Sequence, residues 1–290
     1  MKRLRVILLT NGLGLLVLLL ILFGSQSFSN FFRPTEKIAS HRLVSIDKTE
    51  LKEKLMLYSD DRLLKMFLAG REILEWNRVL EKSGSHVVNE LLKGQGMLSS
   101  MDHYPRNDVY DKDTYAQYYY HAHRKGEHGH FHLFLRQGGM PQGVLPQFYD
   151  ERNDTMSDRD TFSHLVAISM DDEGYPLKLF TTNRWVTGED WYQSKDVCQM
   201  VDLFQIEHTH PSWVTNKWLS CMLRLFYPQI SELILEREQA LMANSQSLTL
   251  VDAMEDYNLD VLSELEISID AQMEVLKELI NERGIEIPRP

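Results

Sequence analysis

Apolar residues recur at three- and four-residue steps from about Thr49, and this period changes twice before the C-terminus. Ser59-Asp60-Asp61 forms an N-cap run ahead of Leu63, Leu64, Phe67, Ile73, Leu74, Trp76 and Leu80, which predicts a long amphipathic helix. A shorter helix is predicted near residues 87–92, closed by Gly94-Gln95-Gly96. The middle of the chain alternates in twos instead. Residues 116–123 and 128–136 read as half-buried strands, residues 163–170 as a strand buried on both faces, and residues 177–185 as a fourth strand. The helical period returns after Trp185. Ser194 is the expected cap of one helix, Pro211 opens a second, and Pro228 starts a third that runs to about Ala243. Leu265, Ile267 and Ile269 alternate briefly, and Asp270 is the expected cap of a last helix ending at Gly284. The pattern predicts an α+β fold, a small and mostly antiparallel sheet packed by N- and C-terminal helices. A single domain is expected over 49–290, with a helical layer at 49–96, the sheet at 97–192 and a second helical layer at 193–290.

The first residues stand apart. Lys2, Arg3 and Arg5 precede an apolar run over residues 6–23, broken only by Thr10, Asn11 and two glycines. A run of about 18 such residues can span a bilayer. The positive flank predicts a cytoplasmic N-terminus and a body outside the cytoplasm. Residues 1–24 are therefore expected to be one transmembrane helix preceding the domain, with the membrane as a partner, and residues 25–48 a linker. Two rival readings stand beside this one. The first is a cleaved signal segment, for which Ser25-Gln26-Ser27 offers a weak small-residue site. The second is a cytoplasmic protein whose start is placed too early.

Bulk properties narrow the function. A formal net charge of −11 argues against nucleic acid as a partner, because such binding rests on neutralising phosphates with Lys and Arg. The two cysteines, Cys198 and Cys221, form no CxxC, which excludes thiolate zinc fingers and thioredoxin-like chemistry. One disulfide between them is the alternative, but both fall in expected helices and are read as free thiols.

Candidate chemistry concentrates in one place. Five of the eleven histidines fall in HAHRKGEHGHFH, residues 121–132. If the two strands pair across an even loop, His121 faces His130 and His123 faces His128. Gln117, Tyr119, His121, His123, His128, His130 and His132 then share one face. Tyr118, Tyr120, Phe131, Leu133 and Leu135 take the other. An odd loop or a bulge would split the histidines, and the clean apolar set favours the even loop. Opposed residues have Cβ atoms about 4.5–5.5 Å apart. Two imidazoles and a neighbour can therefore converge on one divalent ion, zinc or iron. Such an ion takes three protein ligands at about 2.0–2.1 Å and leaves one position for water.

The expected ligands come from His121, His123, His128 and His130. The best-placed trio is His121, His130 and one of His123 or His128. Tyr119 and His132 are expected beside them, orienting the ligands. Arg184 and Trp185, at a strand end, are expected to contact substrate, with a structural Arg–Glu pair as the equal alternative for Arg184. A metal-free polar pocket and an inert wet sheet face are the plainer readings.

Other groups are weaker candidates. Glu127 lies off the histidine face by parity and is expected to pair with Arg124. Asp108, Asp111 and Asp113 read as turn-capping residues, His164 as a satisfied core histidine, and His208 and His210 as capping and surface groups. His-x-His followed by Glu127 partly matches the first cupin motif. Tyr115 and Phe134 replace its flanking glycines, however, and the chain offers too few strands for that barrel. There is no GxGxxG, P-loop, HExxH or GxSxG.

Several ordered strings carry a resemblance: HYPRNDVYD (103–111), AQYYYHAHR (116–124), EHGHFHLFLR (127–136), HLVAISMD (164–171), LFTTNRWVTGEDWY (179–192) and PSWVTNKWLSCMLRLFYPQI (211–230). Together they resemble a bacterial family classified only as a domain of unknown function. The resemblance covers about residues 97–285 and implies no activity. The function expected from the residues is that of a metal-dependent hydrolase, with the ion activating water against a small-molecule ligand. The alternatives are a non-enzymatic metal- or ligand-binding domain and a structural interaction module.

Overall fold

The computed structural model describes residues 46–148, 160–245 and 249–288. Two helices come first. In α1 (Lys48–Met56) the Asp47 side chain accepts the Thr49 and Glu50 N–H groups. In α2 (Asp60–Glu81) Ser59 accepts the Arg62 N–H, and Asp60 and Asp61 occupy the first turn, where the helix dipole favours negative charge. Leu63, Met66, Phe67 and Ile73 turn inward, as the three- and four-residue spacing requires. The short α3 (Val87–Leu92) is capped by the ring of His86.

A six-stranded antiparallel meander follows. Its strands are β1 (Tyr104–Tyr110), β2 (Ala116–His121), β3 (Gly129–Arg136), β4 (Phe162–Met170), β5 (Pro176–Thr182) and β6 (Val261–Glu266), and spatial order equals chain order. Between β5 and β6 the chain builds α4 (Arg184–Thr187), α5 (Ser194–Val201), α6 (Trp213–Leu225), α7 (Tyr227–Asn244) and α8 (Leu250–Met254). The last helix, α9 (Ile269–Arg283), stops at Gly284, whose φ of 63° suits a residue without a Cβ.

One face of the sheet is the core face. Tyr118, Tyr120, Phe131, Leu133, Leu135, Ile168 and Leu179 are fully buried there with Trp218, Leu219 and Leu233. Burying one such side chain contributes about 1.5–3 kcal/mol. That row fixes the pleat, since a one-residue slip would turn it outward and the histidines inward. Even the buried phenol of Tyr118 is satisfied, donating to Asn216 Oδ1 at 2.5 Å. Cys198 and Cys221 are free thiols, and burial pushes Cys221 up to about 12.

The α+β class holds, and the transmembrane helix is corrected. Among the described residues no helix is long and apolar enough to cross a membrane. The expected anchor at residues 1–24 and most of the linker lie outside the described residues. The single-pass topology has nothing further to rest on. Smaller differences are local. Asn183 caps α4 and ends β5 at Thr182, short of Trp185. Ser268, two residues before the expected Asp270, caps α9. Ser194 lies inside α5 and donates to the Ile234 carbonyl.

The hairpin closes tightly at Gly129. A Cβ there would lie 2.5 Å from Tyr120 Oη and 2.7 Å from the His121 carbonyl oxygen. The carbonyl cannot move without disturbing the strand. Gly129→Ala is therefore expected to destabilise the fold by about 1–3 kcal/mol through overpacking, read as a lower urea midpoint. An unchanged midpoint would show that the closure is looser than described.

Candidate metal centre

The site grows from β2 and β3. Their register pairs His121 with His130 and Tyr119 with His132, as the even loop requires. His121, His130 and His132 therefore project from one face while Phe131 and Leu133 enter the core. The three histidines are buried, at 6%, 1% and 1% exposure. One ring nitrogen of each lies within 4.8 Å of the others, so the three can hold a metal ion. The Nε2 atoms of His121 and His130 are 2.7 Å apart. On a tetrahedral ion with bonds of about 2.0–2.1 Å they would stand about 3.3 Å apart, so a modest spreading of the rings admits one.

The groups behind these ligands come from outside the hairpin's regular pairing. Glu127 corrects the parity expectation. His130 Nδ1 donates to its Oε1 at 2.5 Å, and Ser169 Oγ of β4 donates to its Oε2. Glu127 lies in the turn before β3 begins, where alternation no longer sets direction. On the other side, His132 Nδ1 is 3.0 Å from His164 Nε2, whose own Nδ1 lies 3.5 Å from Thr182 Oγ1. A β-bulge makes this possible. Leu133 pairs with Val166 but Phe134 pairs with His164, so Leu165 is the extra residue and His164 is re-aimed onto the histidine face.

The network assigns the protons. Glu127 accepts a hydrogen bond from His130 Nδ1–H, which leaves the lone pair of His130 Nε2 free for an ion. If His132 Nδ1–H donates to His164, His132 Nε2 is likewise free. His121 must then hold its proton on Nδ1 when an ion is bound. Burial, followed by the fields of His130, His123, His103 and Arg124, pushes His121 down to about 2. Burial and Arg237 push His164 down to about 3, and burial with neighbouring histidines holds His132 well below its ordinary value. Burial alone would raise Glu127, but hydrogen bonds from His130 and Ser169, with Arg124 nearby, leave it below the usual carboxylate range. His121 and His132 are thus neutral at pH 7, the state a metal ligand needs.

The remaining expected residues divide. His123 lies past the end of β2, exposed, with its ring 4.8 Å from His121 and 5.1 Å from His130. His128 leaves the set. It turns to the opposite side of the hairpin, its Nδ1 2.6 Å from Tyr120 Oη. His132 joins the trio instead of standing behind it. The Tyr119 ring lies 5.2 Å from His121 and 5.1 Å from His132, and burial keeps its hydroxyl protonated. Arg184 and Trp185 are engaged elsewhere. Arg184 pairs with Glu255, and Trp185 Nε1 donates to the Leu259 carbonyl at 2.9 Å.

Two neighbours were not anticipated. His103, just before β1, stacks on Tyr119 at 3.6 Å and is held by Asp108 at 2.9 Å. Behind His164, the wholly buried Glu189 accepts its backbone N–H at 2.7 Å, and burial pushes this carboxyl up to about 7. Asp111 caps a turn, accepting the Asp113 and Thr114 N–H groups, as the plainer reading has it.

A family model described as a domain of unknown function, DUF6969, matches residues 68–267. This span contains the whole sheet and every histidine of the cluster. No curated protein and no solved structure matches the chain.

Proposed function

The chain belongs to the DUF6969 family, a domain family of unknown function, and we propose from the site that it is a metal-dependent hydrolase of small molecules with its ion on His121, His130 and His132. The observation that carries this is the convergence of three buried imidazoles with a carboxylate on the far nitrogen of one of them. A histidine ligand that donates its other N–H to a carboxylate is fixed in tautomer and orientation and is the more basic for it. Three protein ligands also leave a position open, which is the arrangement of catalytic and not structural zinc. An ion there would supply Lewis acidity and lower the pKa of a water in that position toward 7. His123, exposed beside two of the ligands, marks the side from which water and a small substrate reach the ion. Tyr119, kept protonated, packs its ring against His121 and His132 and so adds a phenol to the surroundings of the site.

The burial of the trio favours a second reading, a closed site that holds an ion without turnover. One experiment separates them. The purified chain is stripped with chelator, reloaded with zinc or ferrous iron, weighed for metal by elemental analysis, and assayed on chromogenic esters, phosphoesters and amides. Hydrolysis that comes and goes with the metal supports the enzyme. Stoichiometric metal without hydrolysis of any of them supports the closed site. A chain that takes up neither ion at neutral pH overturns both.

The carboxylate provides a graded check. Glu127→Gln keeps the shape but loses the charge that polarises His130. It is expected to weaken zinc binding by about 10–100-fold, as changes behind a ligand do, measured by competition with a chromogenic chelator. Affinity equal to wild type would mean that Glu127 serves the turn alone.

A further inference from the structure

Arg124 follows His123 in the turn, three residues past the ligand His121. Its guanidinium carbon stands 4.6 Å from the centre of the Phe180 ring, and that ring is 5.3 Å from His130 and 6.1 Å from His132. Phe180 thus neighbours both a permanent cation and two of the three imidazoles. Its positive field reaches His121, His123, His132 and Glu127. Among the described residues its hydrogen bond goes to Asp260, with the NH2 group donating to Oδ2 at 3.0 Å. The Asp260 end of that pair is solvent-facing, 57% exposed against 20% for Arg124. Exposed ion pairs contribute little to stability, so another anion can displace Asp260. Nε and the other terminal nitrogen have no acceptor among the described residues.

The placement is costly if the site holds only a cation, because guanidinium and a divalent ion repel each other. It becomes favourable when an anionic group lies between them. The guanidinium lies over the Phe180 ring with Nε and one terminal nitrogen still to be paired among the described residues. A planar fork of that kind suits two oxygens of one carboxylate or phosphate. We propose that Arg124 and the ion on His121, His130 and His132 together bind an oxyanion, so that the substrate is a small molecule carrying a carboxylate or phosphate group. This rests on the metal reading above and adds the substrate class to it.

The test uses the full chain loaded with cobalt(II), whose visible absorption reports changes at the ion without any turnover. Inorganic phosphate and acetate are titrated separately, which tells a phosphate preference from a carboxylate one. In the wild type, at least one of them is expected to shift the cobalt spectrum saturably. Arg124→Gln should bind cobalt as the wild type does but weaken that anion by roughly tenfold to a hundredfold, the scale of a lost charge-assisted pair. Arg124→Lys, which keeps the charge and loses the fork, should fall between. A cobalt-loaded chain that neither anion perturbs overturns the inference alone. So does an Arg124→Gln chain that keeps wild-type anion affinity. A chain that takes up no cobalt overturns the metal reading and this inference with it.

Discussion

Alanine at His130 is expected to lower zinc affinity by more than about a thousandfold, since changes behind a ligand already cost about 10–100-fold and this removes one of three ligands outright. The same substitution also strands Glu127, whose carboxylate is 4% exposed and would lose its imidazole partner. His132→Ala is expected to be as severe. Strand alternation alone made His132 an orienting neighbour, whereas its ring nitrogen lies within ligand distance of the other two. His128→Ala should leave zinc affinity near that of the wild type, because its ring points to Tyr120 on the other side of the hairpin. Competition with a chelator of known affinity measures all three. A His132→Ala chain that binds zinc like the wild type would remove His132 from the site. Equal losses in His128→Ala and His132→Ala would mean that the hairpin, and not the trio, is being read.

Acid should unfold the metal-free chain over an unusually narrow range. His121, His132 and His164 are neutral in the fold and have pKa values far below their ordinary 6.5, chiefly because they are buried. The sign follows from linkage. Above about pH 6.5 both states are neutral at these rings and nothing is lost. Below it the unfolded chain gains protons that the fold refuses, so stability falls with pH until the folded values are reached. Each such ring costs about 1.4 kcal/mol per pH unit. Three together approach about 4 kcal/mol per unit, against a total stability of about 5–15 kcal/mol for an ordinary domain. The fold should therefore be lost between about pH 6 and pH 4. Denaturant titrations in chelator at half-unit steps would measure it. Stability that stays level down to pH 4.5 would mean that these rings are solvated or already protonated in the fold.

The parts of this fold that were legible in the sequence are those where one face of an element is strongly apolar. The pairing of His121 with His130 followed from Tyr118, Tyr120, Phe131 and Leu133, whose burial permits a single register. Legibility stopped where the strands stop. His123, Glu127 and His128 lie in the connection, so their directions are set by the hydrogen bonds they find and not by the pleat. His164 was hidden for a different reason. An apolar run on both faces carries no parity, and the bulge that aims it depends on pairing with β3. β1 was missed because Pro105 and the positive φ of Asp108 (54°) break its alternation. Arg184 and Trp185 had the right residue types at a strand end, but α4 carries them toward Glu255 and Leu259.

The meander has a consequence for how such a site is made in the cell. Because spatial order equals chain order, the three imidazoles leave the ribosome within one hairpin. Their supports come later, Ser169 following Glu127 by 42 residues and His164 following His132 by 32. A nascent chain that ends before β4 presents every ligand with no second strand behind them. An ion picked up at that stage can still be exchanged for whatever the surroundings offer. If the site takes an ion, pairing of β4 would lock the rings, so the choice of metal would be made near the middle of translation, by the compartment that holds the growing chain.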